Sequence, residues 1–413
     1  MSWDKLVHGE DQIFTEQRIR FYATGVLPAY AISMLLWWRL YPNYWIVDTH
    51  GHLANIDFCW LWVSGKFAVS SNVQRIYDHA SYAAAQNIYF PPGECLYMPQ
   101  YVYPPNFLFF TYLLGLMPYL TAFLAWVATT IVLYLAAVYA IIARRTAILV
   151  ALASPAVIKN IQLGHTGFVV AGLFGLSLVF LERRPWIAGI FLGLLTYKPQ
   201  FGVLFPLALF ASRNWRTLAA GAAVAIAFAV AAGFAFGLEG WPSFFASLLD
   251  RNAGLSPDEQ VELRLQSIYG LLNWAGAGPG VSWAVQLTAG LAVAVTVWLI
   301  WAKPIRFSLR ASALCIGSVA FTPYVLAYDL CVLSIAAAFL VRDGMTHGFL
   351  PGERIVLVLC WAALFLPAIP VAPFIYTTLL LLVFRRIATR PGLDPEEEQK
   401  ESSFIETKAF AGN

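Results

Sequence analysis

Charge is scarce in this chain. Asp, Glu, Lys and Arg make up 12% of its 413 residues, about half of the 25% or so found in soluble domains. A water-soluble chain of this size could not hide its hydrophobic 60% in one core. Cysteine is scarce too: five residues, an odd number, exclude a disulfide framework. Cys59 and Cys95 fall in one predicted outer connection, where a pairing is open to them, whereas Cys315, Cys331 and Cys360 lie in apolar runs and read as small core hydrophobes. No Walker loop and no strand-to-helix GxGxxG is present. The net charge is +3 and no basic run is dense enough to suggest nucleic acid. No cleavable signal peptide is expected. The first 18 residues are polar and mixed in charge, and the first apolar stretch, 21–40, reads as an uncleaved signal anchor.

What is present is apolar length and aromatic rings: 15 Trp, 19 Tyr and 30 Phe, with a mean hydropathy of +0.67. Such rings favour membrane interfaces. Basic residues punctuate the apolar runs: Arg18 and Arg20, Arg144 and Arg145, Arg183 and Arg184, Arg213 and Arg216, then Lys303, Arg306 and Arg310, Arg342 and Arg354, and finally Arg385, Arg386 and Arg390. Short cytoplasmic loops are enriched in Lys and Arg, so all these groups are expected inside. The outer connections are then 41–104, 156–165, 197–200, 238–281, 322–329 and 367–373.

The predicted fold is an all-α polytopic membrane protein of about 12 transmembrane helices, both termini cytoplasmic. Residues 105–142 also admit a short re-entrant helix ending at Met117 followed by one span, which changes the count by two. Segments 147–158 and 186–196 are short, and the first is broken by Pro155, which points to irregular backbone lining a cavity on the outer side. Residues 55–70 and 79–89 read as interfacial helices in the first outer loop. Residues 250–266 read as a polar outer helix. The domain expectation is a cytoplasmic N-terminus (1–20), one transmembrane domain (21–390) and a disordered tail (391–413) rich in Glu and Lys.

Several ionisable residues stand where apolar segments end. Asp57 follows the first span. Asn55 as a helix cap would put Asp57 in the first helical turn, where it serves either the helix start or a reaction as general base. Lys159, His165 and Lys198 are cations at outer segment ends. One alone reads as readily as a snorkelling side chain, but three around one cavity favour an anion such as a lipid phosphate. Asp329, preceded by Tyr328, is placed either in that site or as an ion-pair partner of one of these cations. Asp48, His50 and His52 are metal-ligand types whose spacing matches no strong signature, so no metal is expected.

Together these residues resemble glycosyltransferase family 87. The most specific stretch is Tyr197-Lys198-Pro199-Gln200. Asp57-Phe58 with Trp60 and Trp62, Ile76-Tyr77-Asp78, Tyr103-Pro104-Pro105, and Thr322-Pro323-Tyr324 through Tyr328-Asp329-Leu330 follow in the family's order. Where the family often has Gly-Gln, this chain has Gly164-His165. The likeness extends to the family's mycobacterial polyprenol-phosphate-mannose-dependent mannosyltransferase of phosphatidylinositol mannoside synthesis. The resemblance implies a GT-C-like bundle in a bacterial inner (plasma) membrane with its active site on the outer side. It implies transfer of a hexose, mannose above all, from a polyprenyl-phosphate donor to a lipid or glycan acceptor. Asp57 would be catalytic, Lys198 with His165, Lys159, Tyr197 and Gln200 would hold the donor phosphate, and Tyr328, Asp329 and Tyr103 would support them, with no cofactor. Two other classes remain open at this level: a flippase for a lipid-linked sugar, and a non-catalytic scaffold of an envelope-synthesis complex.

Overall fold

The computed structural model describes residues 13–40, 57–70, 73–90, 101–249, 264–366 and 369–389, and every regular element among them is helical. Helix α1 (Glu16–Leu40) contains Pro28. Helices α2 (Phe58–Ser70) and α3 (His79–Tyr89) follow, joined by a 3-10 turn at Val73–Tyr77. The Asp78 carboxylate caps α3 by accepting the Ser81 N–H at 2.8 Å. A short α4 (Leu108–Gly115) precedes the long α5 (Tyr119–Ile142), so residues 105–142 divide into a short helix and one of span length. Helices α6 (Arg145–Leu152) and α7 (Pro155–Leu163) meet at a 60° bend. Pro155 supplies no N–H to continue α6 and is well suited to the first position of α7.

The central element is α8 (Gly167–Leu181), apolar on all sides and buried along nearly its whole length. Then come α9 (Pro185–Leu194), α10 (Leu204–Ala211), α11 (Trp215–Phe236), α12 (Gly240–Leu249), α13 (Ile268–Trp274) and α14 (Pro279–Trp301). The chain closes with α15 (Phe307–Phe321), α16 (Cys331–His347), α17 (Glu353–Ala363) and α18 (Ala372–Thr389). Helix α8 packs against α5, α9 and α16, while α9 also packs against α11. Close approach needs small residues. A Cβ on Gly65 of α2 would lie 2.2 Å from the Thr111 carbonyl of α4.

Among the described residues six helices are long and apolar enough to cross a membrane, or seven if α6 and α7 form one broken span. The count of twelve is therefore not reached by length. Four shorter apolar segments, Gly167–Leu181, Pro185–Tyr197, Pro199–Ala211 and Phe307–Phe321, stand between the long ones. Outward-facing Ile226, Val230 and Phe234 on α11, and Leu287 and Leu291 on α14, leave apolar surface that water would not tolerate. The protein is an integral membrane protein.

Helix α2 also packs against the rest of the protein. Its Phe58, Cys59, Leu61, Trp62, Val63 and Phe67 are buried inside the protein. Cys59 is disulfide-bonded; Cys95 lies outside the described residues, as do Asp48, His50, His52, Asn55, the tail and residues 250–263 of the predicted polar helix. Residues 264–266 of that predicted helix are not helical.

The arginine groups also depart from simple surface charge. Arg386 is 1% exposed and joins Glu353 and Asp343, and Arg306 Nε lies 3.0 Å from the same Asp343. Glu353 also accepts the Leu350 N–H at 2.9 Å. This buried network ties α16, α17 and α18 together at one end of the bundle.

Candidate active site

Described residues of the six connections expected on the outer side meet at the other end. Asp57 directly precedes α2, its carbonyl accepting the Trp60 N–H at 3.3 Å. It therefore sits at the helix boundary, not within the first turn. The buried Phe58 ring packs on Tyr119 and Phe123, both at 5.3 Å between centroids. Gly164, at φ +63°, ends α7 in the left-handed region, and a Cβ there would stand 2.7 Å from both Phe58 Cβ and a Phe123 ring carbon. Glycine thus allows the start of α2 to lie directly on the Gly164-His165-Thr166 turn.

That turn is fixed from several sides. The Thr166 N–H donates to His165 Nδ1 at 2.8 Å, and Trp126 Nε1 donates to the His165 carbonyl at 3.3 Å. With Nδ1 accepting, the proton of a neutral ring resides on Nε2, which faces the Tyr103 hydroxyl at 3.5 Å. The imidazole stacks on Tyr328 at 3.8 Å between centroids. Burial, and then the Lys198 charge, hold His165 well below its usual pKa. It is a neutral hydrogen-bonding group, not a cation.

Lys198 follows a 3-10 turn, Leu195–Tyr197, and Pro199 opens the next helical turn. Its Nζ lies 2.6 Å from Asp329 Oδ1, with side chains 4% and 1% exposed. The ammonium also stands over Tyr328 at 5.0 Å and 3.5 Å from Thr166 Oγ1. Asp329 Oδ2 accepts the Leu326 N–H at 3.2 Å. Asp329 is therefore the ion-pair partner of Lys198. Tyr103 stacks on Phe107 and Phe107 on Tyr197, at 4.3 and 4.9 Å, and Tyr77 donates to the Tyr103 carbonyl at 2.9 Å. Lys159 on α7 is partly buried, and α7 packs against the 3-10 helix Ala327–Leu330 that carries Asp329. Gln200 is partly buried, and among the described residues no hydrogen bond joins it to the cluster.

Asp57 is pushed up to about 7, chiefly by desolvation. The Arg264 and Lys198 charges act downward and Asp329 adds to the upward push. Asp57 thus belongs electrostatically to the same cluster as the Lys198–Asp329 pair. Arg264 was not among the residues the sequence singled out. Its only signal there is a cation at the end of a polar stretch, just before the apolar run that opens α13. A cavity of about 300 Å3 lined by Leu181, Glu182, Asn214 and Arg310 lies at the opposite end of α8. It contains none of the sequence's candidates.

The model of glycosyltransferase family 87 matches residues 101–323, over half of the chain. No curated protein and no solved structure matches it.

Proposed function

Because the chain belongs to glycosyltransferase family 87, and is thereby a membrane glycosyltransferase, we propose that it moves a hexose, mannose, from a polyprenyl-phosphate donor to a hydroxyl of a lipid or glycan acceptor, with inversion. The observation that carries the chemistry is Asp57, one residue before the Phe58 that lies on the Gly164 turn, with a carboxyl that feels the Lys198 and Asp329 charges and is pushed up to about 7 by desolvation. A general base works best when its pKa lies near the operating pH.

In this reading Asp57 takes the proton of the acceptor hydroxyl. The freed oxygen forms a bond to the anomeric carbon from the face opposite the donor oxygen. The bond between that carbon and the phosphate oxygen breaks, and the electron pair leaves with polyprenyl phosphate. The proton remains on Asp57 until it is released to water. Negative charge grows on the leaving phosphate, and the positive side of the cluster, Lys159 with Lys198 behind it, stabilises that growth. His165, neutral with its proton on Nε2, and the Tyr103 and Tyr197 hydroxyls offer hydrogen bonds without charge. Asp329 does not serve as a second reacting carboxylate, because it is buried against Lys198; this supports inversion over a double displacement. The fold is GT-C-like in this reading, the membrane is a bacterial inner membrane, and the cluster faces its outer side with both termini inside.

The experiment is transfer from polyprenyl-phosphate-mannose by the purified protein, compared with Asp57→Asn. Loss of at least about 10²-fold in turnover is expected. Wild-type turnover in the variant would overturn the assignment of the base.

A further inference from the structure

The place of the proton on the His165 ring depends on one peptide unit. The Thr166 N–H donates to Nδ1 at 2.8 Å, and Thr166 Oγ1 lies 3.1 Å from the same nitrogen. Nδ1 is thereby kept as the acceptor and Nε2 as the donor. The carbonyl of His165 belongs to the same planar peptide as that N–H. Whatever holds the carbonyl therefore also holds the N–H on the ring.

Two donors hold it. Trp126 Nε1 is 3.3 Å away. The other is Asn160 on α7, which is 1% exposed and was not among the residues the sequence singled out. Its carboxamide is oriented by its partners, because an N–H can only donate and a carbonyl oxygen only accept. In that orientation Nδ2 donates to the His165 carbonyl at 3.1 Å, and Oδ1 accepts the Phe168 N–H at 2.8 Å. The backbone carbonyl of Asn160 accepts the Gly164 N–H at 2.8 Å, where α7 ends. Phe168 lies in the first turn of α8, whose N–H groups lack partners within the helix, and the Thr166 side chain does not cap that helix. Asn160 thus fastens both sides of the Gly164-His165-Thr166 turn. A cap alone would use only Oδ1. The bond from Nδ2 goes to the peptide that orients the imidazole.

We propose that Asn160 is a positioning residue for sugar transfer, fixing the His165–Thr166 peptide so that the imidazole keeps its proton on Nε2, toward the Tyr103 hydroxyl. This rests on the glycosyltransferase reading above, in which His165 offers a neutral hydrogen bond. Asn160 itself touches no substrate. It acts through His165, and through the Gly164 seat on which Phe58, the residue after Asp57, lies.

The full-length protein, carrying isotope-labelled histidine, would be reconstituted in liposomes and its ring nitrogens observed by solid-state NMR. His165→Gln identifies the His165 signals by their absence. Wild type is expected to carry the ring proton on Nε2 alone. Asn160→Asp, studied at about pH 8, keeps an oxygen for the Phe168 N–H, and Asp caps a helix as well as Asn does. Its ionised carboxyl has no proton for the His165 carbonyl. This variant is expected to move part of the His165 population to the form protonated on Nδ1. Its kcat per folded molecule should fall about tenfold, with donor KM close to that of wild type. Asn160→Leu keeps the branched shape without either bond and is expected to show the same change at the ring, so the outcome does not hang on the folding of one variant. A wild-type protein with its proton on Nδ1, or variants with wild-type ring signals, overturns the positioning role. So does an altered ring with wild-type kcat. Each of these leaves the glycosyltransferase reading standing, provided that wild type transfers sugar. The expected ring signals in a wild type that transfers no sugar overturn that reading instead, and the role in transfer with it.

Discussion

Asp57 carries the account's chemistry, and its environment makes a pH prediction with a definite sign. The base must be ionised, so the rate of transfer is expected to rise as pH climbs through about 7 and to level off above it. A pH–rate profile flat between 5.5 and 8.5 would contradict this. Stability runs the other way. A carboxyl whose pKa is raised on folding contributes most below its unfolded value, and that contribution is lost as pH rises through the folded one. Asp57→Asn is therefore expected to gain thermal stability relative to wild type as pH goes from 6 to 8, while losing activity. At Lys198, substitution by Met strands the buried Asp329 carboxylate, and about 3–5 kcal/mol of stability should be lost. The double variant Lys198→Met with Asp329→Asn should recover much of it, measured by thermal melting in detergent. The sequence made Asp57, His165, Lys198 and Asp329 legible because an ionisable side chain at the end of an apolar run is conspicuous. Arg264 was not, because charge within a polar stretch is ordinary, and only the anchoring of Gln266 to Val325 brings it to the site.

At the scale of elements, the α7–α8 turn does the positioning. Gly164 has a left-handed backbone and almost no room for a side chain, with Phe58 and Phe123 each 2.7 Å from where a Cβ would be. Gly164→Ala should cost on the order of 1–3 kcal/mol from backbone strain alone, and more as the start of α2 is pushed away. Since Asp57 rides on that start, transfer should fall together with melting temperature. A variant as stable as wild type but inactive would instead point to a direct role for the turn. The neighbouring Gly167 is as tightly placed, its Cβ position lying 2.1 Å from the Tyr328 carbonyl. Helix α3, spanning His79–Tyr89, has the bounds the sequence suggested, and the break at Pro155 falls between α6 and α7. The break was legible through its proline and α3 through its apolar run, whereas the Asp78 cap is what the structure adds. The burial of α2 was not legible, because its apolar run suits a membrane interface as well as a protein core. Its buried residues and the contact of Gly65 with α4 show that it packs against the protein.

For the whole molecule, hydropathy separated lipid-facing from polar segments well enough to give an all-helical membrane protein. It could not fix the number of crossings. Four apolar segments are shorter than a straight span needs, and α6 and α7 are bent by 60°, so their path depends on packing and not on length. The positive groups likewise proved to be of two kinds. Arg144 lies partly exposed against Glu16 at 3.0 Å, whereas Arg386 is buried among Asp343 and Glu353. Arg386→Met should therefore destabilise by about 3–5 kcal/mol, unlike substitution of an exposed loop arginine, which should shift melting little. All of this frames one central claim, that the cluster around Asp57 transfers a sugar from a lipid phosphate. Its most direct measurement is to supply the protein in nanodiscs with polyprenyl-phosphate-mannose and a membrane lipid extract, and to search the lipids by mass spectrometry. The account predicts a hexose-sized mass gain on one lipid class with wild-type protein and none with Asp57→Asn. An equal gain with both proteins, or none with wild type across sugars and acceptors, would contradict it.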